Sequence, residues 1–339
     1  MGHVLAVRLD NDGDVLLAGP AIRALAAGHE RVTLLCGPRG RNAAALLPGV
    51  DELVVWRAPW IDPEPDPVDR DDVLGLAADL AGRGIDRAVI FGSFHQSPLP
   101  TALLLRLAGV GFVAATAVDY PGSLLDVRHG IADDVHEVER ALDLVRTLGH
   151  ELPAGDDGRL RVCEGAARGP LPDGVEAPYV VVHPGASVPA RAWAPERNAE
   201  LVEGLREAGR RVVVTGSPAE RELTAAVAGT DAIDLGGATD LAGLAAVLAR
   251  ASAVVVGNTG PAHLAAAVGT PVVSLFAPTV PVVRWRPWAV LHELLFVDVP
   301  CAGCRARICP VEDHPCLGGV EVADVLAAVD RLAPVGAAA

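Results

Sequence analysis

The sequence predicts an α/β protein built from two Rossmann-like halves, and three observations carry that prediction. The chain has 339 residues, more than one hydrophobic core usually serves, which implies two domains of roughly 150 residues each. Composition agrees. Of all residues 51% are hydrophobic but only 4% aromatic, and Ala, Val, Leu and Gly dominate, the mix that helices layered on a parallel sheet require. Finally, short apolar runs alternate with helical patterns through the first half and again through the second.

In the first half the apolar runs are VLAVRLD, RVTLLCG, DELVVW, DRAVIFG and VGFVAA, with an amphipathic run to Ala27 after the first. Loops at the strand carboxyl ends of such a doubly wound sheet are the ones available to ligands. Pro and acidic residues crowd Asp62 to Asp72, which reads as a solvated loop or an acceptor-site flap, with neither strand nor stable helix expected. Val135 to Leu148 reads as an amphipathic helix ending at Gly149. The first domain takes residues 1–165, and the polar, Pro- and Gly-rich stretch 166–178 reads as a linker. The second domain, 179–339, repeats the alternation: YVVVHPG, a helix through Ala199 to Ala208, RVVVTG, a helix from Glu220, AIDLGG, a helix from Leu241, AVVVG, a helix from Ala262, and PVVSLF. Whether the last helix, Val322 to Leu332, crosses back to the first domain is not decided by sequence.

Charge and composition exclude several classes. A formal charge of −15 disfavours attraction to nucleic-acid phosphates or to an anionic membrane surface. Long apolar runs are interrupted, as Val254 to Phe276 is by Asn258 and His263, so no transmembrane segment is expected. The opening MGHVLAVRLD reads as a strand rather than a signal peptide, and a cytoplasmic protein is expected. All 28 basic Lys+Arg residues are Arg, which with the Ala and Gly excess reads as coding bias.

The densest chemical signal is VVVGNTGPAHLAAAVGTPVVSLF. A buried strand runs into Asn258-Thr259-Gly260 and a helix opens at Pro261, a residue suited to a first helical turn because its missing N–H would have had no intrahelical partner. The free N–H groups of that turn, the helix dipole and a donor from His263 suit a diphosphate, which Gly260 lets the backbone approach. Alone, the same pattern also reads as a helix cap with His263 packed beneath it. This segment resembles the phosphate-binding signature of glycosyltransferase family 9, the bacterial heptosyltransferases: Asp-Ser/Thr-Gly-x-x-His, with Asn258 here where Asp is more usual. An amide keeps hydrogen-bonding capacity but carries no carboxylate charge, so a changed donor preference is one implication.

Three further segments carry the resemblance. VVHPGASVPARAW is similar to the family's strand–HPG–Ser/Thr stretch, implying that Ser187 reaches a phosphate and that Arg191, in place of the usual Lys, neutralises charge on the leaving diphosphate. VVVTGSPAERE resembles the Gly-x-Pro-x-Glu turn, implying that Glu220 accepts hydrogen bonds from ribose hydroxyls, and AIDLGG matches the stretch lining the base, with Leu235 and Gly236 as contacts. VRLDNDGDVLLAGPAIRAL resembles the family's opening strand, Gly-Asp turn and helix, and places Asp14 as general base. Asp10 and Asp12 resemble metal ligands by count, but DNDGD lacks the remaining calcium-loop spacing.

The resemblance implies a GT-B fold, two Rossmann-like domains facing a central cleft. It implies an inverting, metal-independent glycosyltransferase with no required cofactor, whose nucleotide-sugar donor is ADP-heptose and whose acceptor is a small molecule or glycan. A GT-B-like sugar-nucleotide epimerase and a noncatalytic sugar-nucleotide-binding protein are the alternatives. A nicotinamide dehydrogenase is disfavoured because neither half shows G-x-G-x-x-G after its first strand. Acceptor contacts are expected from first-domain loops, with Ser93, His95 and Gln96 in FGSFHQSP as candidates unless they only cap the next helix. Cys301, Cys304, Cys309 and Cys316 in CAGCRARICPVEDHPC, with His314, are compatible with free thiols, a structural zinc or disulfides. A similar segment in parts of the family gives the cluster a structural reading. Cys36 and Cys163 read as packing residues.

Overall fold

The computed structural model describes residues 2–93 and 95–334. Two compact units divide the chain, Met1–Arg161 and Val162–Ala339.

In the first unit, β1 (His3–Arg8), β2 (Arg31–Cys36), β3 (Glu52–Val55), β4 (Arg87–Ile90), β5 (Phe112–Thr116) and β6 (Val127–His129) form one parallel sheet ordered β3-β2-β1-β4-β5-β6. Its helices are α1 (Asp12–Gly28), α2 (Arg41–Ala44), α3 (Arg70–Ala81), α4 (Leu99–Leu107) and α5 (Glu137–Thr147). Every residue of β1 is buried, which is why the strand reads as a near-continuous apolar run rather than an alternating one. Leu5, Val7, Leu35, Ile90, Leu104, Leu105 and Val113 form the core on one side of the sheet.

The acidic stretch ends differently from the sequence expectation, because residues 70–72 form the first turn of α3. Asp69 caps it, accepting from the backbone N–H groups of Asp71 and Asp72 at 2.8 and 2.9 Å. Acidic side chains in a first helical turn complement the helix dipole, so a run that looks merely solvated is also a helix start.

A buried fork ties the end of this unit to α1. Arg23 Nε and Nη2 donate to the two oxygens of Asp156 at 2.6 and 3.0 Å, and Nη2 also donates to the Arg159 carbonyl. The hydrogen bonds from Arg23 hold the Asp156 carboxyl down at about 2. A depressed carboxylate stabilises the fold above its unfolded value near 4, and that contribution is lost as pH falls through about 2. Asp156→Asn is expected to cost roughly 2–3 kcal/mol at neutral pH. Melting curves from pH 7 downwards should show the gap from wild type closing in acid.

The second unit opens with α6 (Glu164–Ala167), followed by β7 (Val180–His183), α7 (Pro195–Glu207), β8 (Val212–Gly216), α8 (Arg221–Ala228), β9 (Ile233–Gly236), α9 (Leu241–Ala249), β10 (Ala253–Gly257), α10 (Gly260–Val268), β11 (Val272–Leu275), α11 (Val282–Trp285), β12 (His292–Leu295), α12 (Pro315–Gly318) and α13 (Val322–Leu332). The six strands are parallel in the order β12-β11-β10-β7-β8-β9. From β7 onwards this repeats the connectivity of the first unit. α6 packs on α9, with Arg250 donating to the Ala167 carbonyl. α13 packs on α7 and on β10 to β12, all within its own unit.

In both sheets the chain builds outwards on one side of its first strand and then returns to the other side. The topological switch points therefore lie between β1 and β4 and between β7 and β10, and ligands of such sheets bind beyond the strand carboxyl ends at that position.

Candidate functional site

At the second unit's switch point, β10 ends at Gly257 and leads through Asn258 and Thr259 into α10. The helix begins at Gly260 rather than Pro261, with Pro261 in its first turn and Thr259 as an extended N-cap residue. A helix start of this kind presents unsatisfied N–H groups and positive dipole charge. Thr259 adds a hydroxyl oxygen that is buried and has no hydrogen-bond partner among the described residues. Burying a hydroxyl without a partner is costly, so a hydrogen-bonding group arriving at this position would be favoured. His263 lies buried on the same helix.

Beyond β7, the segment 189–191 makes a 3-10 turn whose Arg191 backbone packs against Gly257, the last residue of β10. The approach depends on Gly257: a Cβ there would come within 2.6 Å of the Arg191 carbonyl oxygen, so any larger residue would drive the two turns apart. Arg191 Nε reaches Thr279 Oγ1 at 3.4 Å. Thr279 was not singled out by sequence, and only its position after β11 could have suggested it.

The Asn258 side chain has a specific employment. It is buried, its amide donates to the Ala277 carbonyl at 3.1 Å, and its oxygen accepts from the Ala277 N–H at 3.1 Å. This two-way pairing holds the β10 turn against the chain following β11. A carboxylate could accept from Ala277 but not donate to it, so Asn suits this position for a reason internal to the fold.

Glu220 lies at the neighbouring carboxyl ends, β8 and β9. Its Oε2 accepts from the Ser217 N–H and hydroxyl, both at 2.7 Å, in a capping box. The carboxylate lies over Gly185, where a Cβ would collide with it. Nearby, burial pushes the His183 imidazole down and Glu220 opposes that shift. Gly236 is required too, because a Cβ would strike the Thr224 side chain. Gly237 N–H donates to the Gly216 carbonyl at 2.8 Å, joining the β8 and β9 turns, while Leu235 is buried and Ser187 exposed. The structure thus gathers Arg191, Asn258, Thr259, Gly260 and His263 at one switch point, with Glu220, Leu235 and Gly236 at the strand ends beside it.

The cysteine segment buttresses this arrangement. Gly303 N–H donates to Pro278 and Arg305 N–H to Thr279, while the Ala190 N–H donates to the Arg307 carbonyl. Cys301, Cys304, Cys309, His314 and Cys316 line one pocket with Ala190 and Thr279. All six cysteines are free thiols. Among the described residues no group of three or more His, Cys, Asp or Glu is arranged to hold a metal ion.

At the first unit's switch point stands a cluster built on Arg8, which is almost fully buried. Its Nη2 donates to Asp14 Oδ1 at 3.0 Å, and Nη1 donates to the carbonyls of Phe91 and Gly92 at 3.3 and 3.0 Å. Its Nε stands 3.0 Å from Asp10 Oδ2 in an ion pair that lacks hydrogen-bond alignment, and Glu137 Oε2 is 3.9 Å from Nη2. Gln96 Nε2 donates to the other Asp10 oxygen, and its Oε1 accepts from the Ser93 N–H at 2.9 Å. Burial pushes the Asp10 carboxyl up to about 6, with Arg8 opposing and Asp14 and Glu137 adding to the rise. Asp12 turns away to accept from the Ala43 N–H at 2.9 Å, so Asp10 and Asp12 do not converge as metal ligands. Sequence reasoning missed Arg8, although a charged residue inside the apolar run VLAVRLD was a signal.

A parallel sheet in Rossmann order, occurring twice with polar groups collected at each switch point, defines a GT-B protein. Solved structures share the fold: the Escherichia coli heptosyltransferase WaaC with ADP-2-deoxy-2-fluoro heptose superposes with a TM-score of 0.76 at 21% identity, covering 97% of this chain and 99% of that one. The glycosyltransferase family 9 protein from Veillonella parvula gives 0.75 at 18% identity over 97% and 96%. The profile of glycosyltransferase family 9 (heptosyltransferase) matches residues 90–314, and the chain belongs to that family. Lipopolysaccharide heptosyltransferase 1 of Pseudomonas aeruginosa is 34% identical over 225 residues, 63% of this chain and 61% of that protein. Lipopolysaccharide heptosyltransferase 3 of Escherichia coli is 30% identical over 173 residues, 48% of each. The matched stretches therefore span 48% to 61% of these two relatives. Among the described residues no helix is long and apolar enough to cross a membrane.

Proposed function

We propose that this protein transfers heptose from ADP-heptose to a hydroxyl of a glycan acceptor, with inversion and without a catalytic metal. The observation that carries this reading is the buried, partnerless Thr259 hydroxyl at the start of α10, beside Arg191. An oxygen-rich anion would satisfy that hydroxyl and the helix N–H groups together. Family membership supports sugar transfer, and solved neighbours carrying ADP or an ADP-heptose analogue support the donor. Lipopolysaccharide relatives support a core oligosaccharide as acceptor.

In the proposed step Asp14 takes the proton from the acceptor hydroxyl as that oxygen bonds to the anomeric carbon. The bond from that carbon to the diphosphate oxygen breaks, and its electron pair leaves with ADP. Arg191 and the α10 start stabilise the departing charge, and the Glu220 carboxylate receives the ribose hydroxyls. Ser187, Leu235, Gly236 and His263 complete the donor contacts, while Ser93, His95 and Gln96 belong to the acceptor side.

A thermal-shift panel tests the donor, because a ligand that binds the folded state raises the melting temperature. ADP and ADP-heptose are expected to give the largest shifts, and a clear preference for uridine or thymidine diphosphates would overturn the ADP assignment. Transfer to a heptose-free lipopolysaccharide core oligosaccharide should persist in EDTA. Activity that requires added magnesium or manganese would sink the metal-independent mechanism.

A further inference from the structure

A carboxylate acting as base must be held in one orientation, and the first unit shows what holds Asp14. Arg8 is the last residue of β1, and its side chain is 4% exposed. Two carbonyls beyond β4 take its Nη1, so the guanidinium is anchored to the neighbouring strand as well as its own. With that plane fixed, Nη2 meets Asp14 Oδ1 and Nε faces Asp10 Oδ2. Asp10 is in turn gripped by Gln96, which also binds the Ser93 N–H. The same short loop carries His95 at a φ of 64°, left-handed backbone that a non-glycine residue adopts at a cost and that occurs at functional turns.

Resting on the transferase reading above, we propose that Arg8 is a positioning residue for the reaction, fixing the Asp14 carboxylate, and that Asp10 couples this clamp through Gln96 to the loop after β4. Arg suits the role because its rigid fork engages several oxygens at defined angles, whereas a lysine offers a point charge on a flexible stem. The charged groups around Asp10 are Arg8 from β1, Asp14 from α1 and Glu137 from α5, with Arg140 3.8 Å behind Glu137. A proton arriving on Asp10 weakens its hold on Arg8 and disturbs the clamp on Asp14. The rate should therefore fall on the acid side near pH 6, where Asp10 protonates.

The test uses the full chain with ADP-heptose and a heptose-free lipopolysaccharide core oligosaccharide, comparing wild type with Arg8→Lys, Asp10→Asn and Gln96→Ala. ADP affinity is read by calorimetry, and kcat and KM are read from pH 5 to 9. Arg8→Lys is expected to lower kcat by about 10- to 100-fold with ADP affinity unchanged, the scale of a misplaced catalytic group. Asp10→Asn, nearly isosteric, should abolish the acid limb near pH 6. Gln96→Ala, which removes a hydrogen bond favouring ionised Asp10, should move that limb to higher pH. A merely structural role predicts lower melting temperatures without movement of the limb.

Gln96 is half-buried, so its variant provides a reading even if substitution at the buried Arg8 prevents folding. Wild-type kcat and an unmoved limb in the folded variants, with Asp14→Asn inactive, would overturn this inference alone. Absence of transfer by the wild type, or full activity of Asp14→Asn, would overturn the base assignment and this inference with it.

Discussion

Asp14→Asn is expected to slow heptose transfer by about 10²-fold or more, the low end of what a positioned general base contributes. The substitution keeps the side chain's size and an oxygen for the Arg8 Nη2 hydrogen bond, but an amide cannot take up the acceptor's proton. Asp14 lies in the first unit, whereas the groups assigned to the diphosphate lie in the second. ADP affinity by calorimetry should therefore match wild type, and the loss should fall on kcat. A near-normal rate in a folded variant would remove Asp14 from proton transfer and direct attention to Asp10, whose carboxyl burial has already raised to about 6.

Arg191→Ala is expected to reduce transfer by about 10²- to 10³-fold, as removal of one donor to a developing anion does, and to weaken ADP binding as well. The arginine is held by Thr279 and by the close packing of its backbone on Gly257, so its charge is placed before the substrate arrives. Thr259→Val gives a sharper contrast. Replacing a buried hydroxyl that has no partner by an isosteric methyl should leave the free protein's melting temperature unchanged or higher. ADP affinity should nevertheless fall by about tenfold or more, the scale of a hydrogen bond to a charged group. If Thr259→Val and Arg191→Ala both bind ADP as wild type does, the diphosphate lies elsewhere.

Much of the turn proposed to hold the donor was legible in sequence because its parts are contiguous. A strand, a small-residue turn and a helix start follow one another within Val254 to Val268, and local chemistry specifies them: proline in the first turn, glycine where the backbone must pass closely, and Gly269 in the left-handed C-cap. The two-fold alternation was visible for the same reason, since strands buried on both faces announce themselves as apolar runs. The edge strands β6 and β12 went unread. They are short and contain only partly apolar sequence, VRH and HELL, and pairing with one neighbour rather than composition makes them strands.

Sequence by itself determined the two parallel-sheet halves, the strand–turn–helix at Asn258 to Pro261 and the presence of a carboxylate after the first strand. Tertiary structure decided what the polar side chains do there. Asn258, which stands where the resembling signature more usually has Asp, has both ends of its amide taken by Ala277, a residue 19 positions away. Arg8 becomes the centre of a carboxylate cluster because β4 lies next to β1, bringing Phe91 and Gly92 to its guanidinium and Gln96 to Asp10 across 83 to 86 positions of chain. The physical reason is that backbone conformation answers to neighbours a few residues away, whereas a buried polar group is satisfied by whatever partner strand order brings within reach.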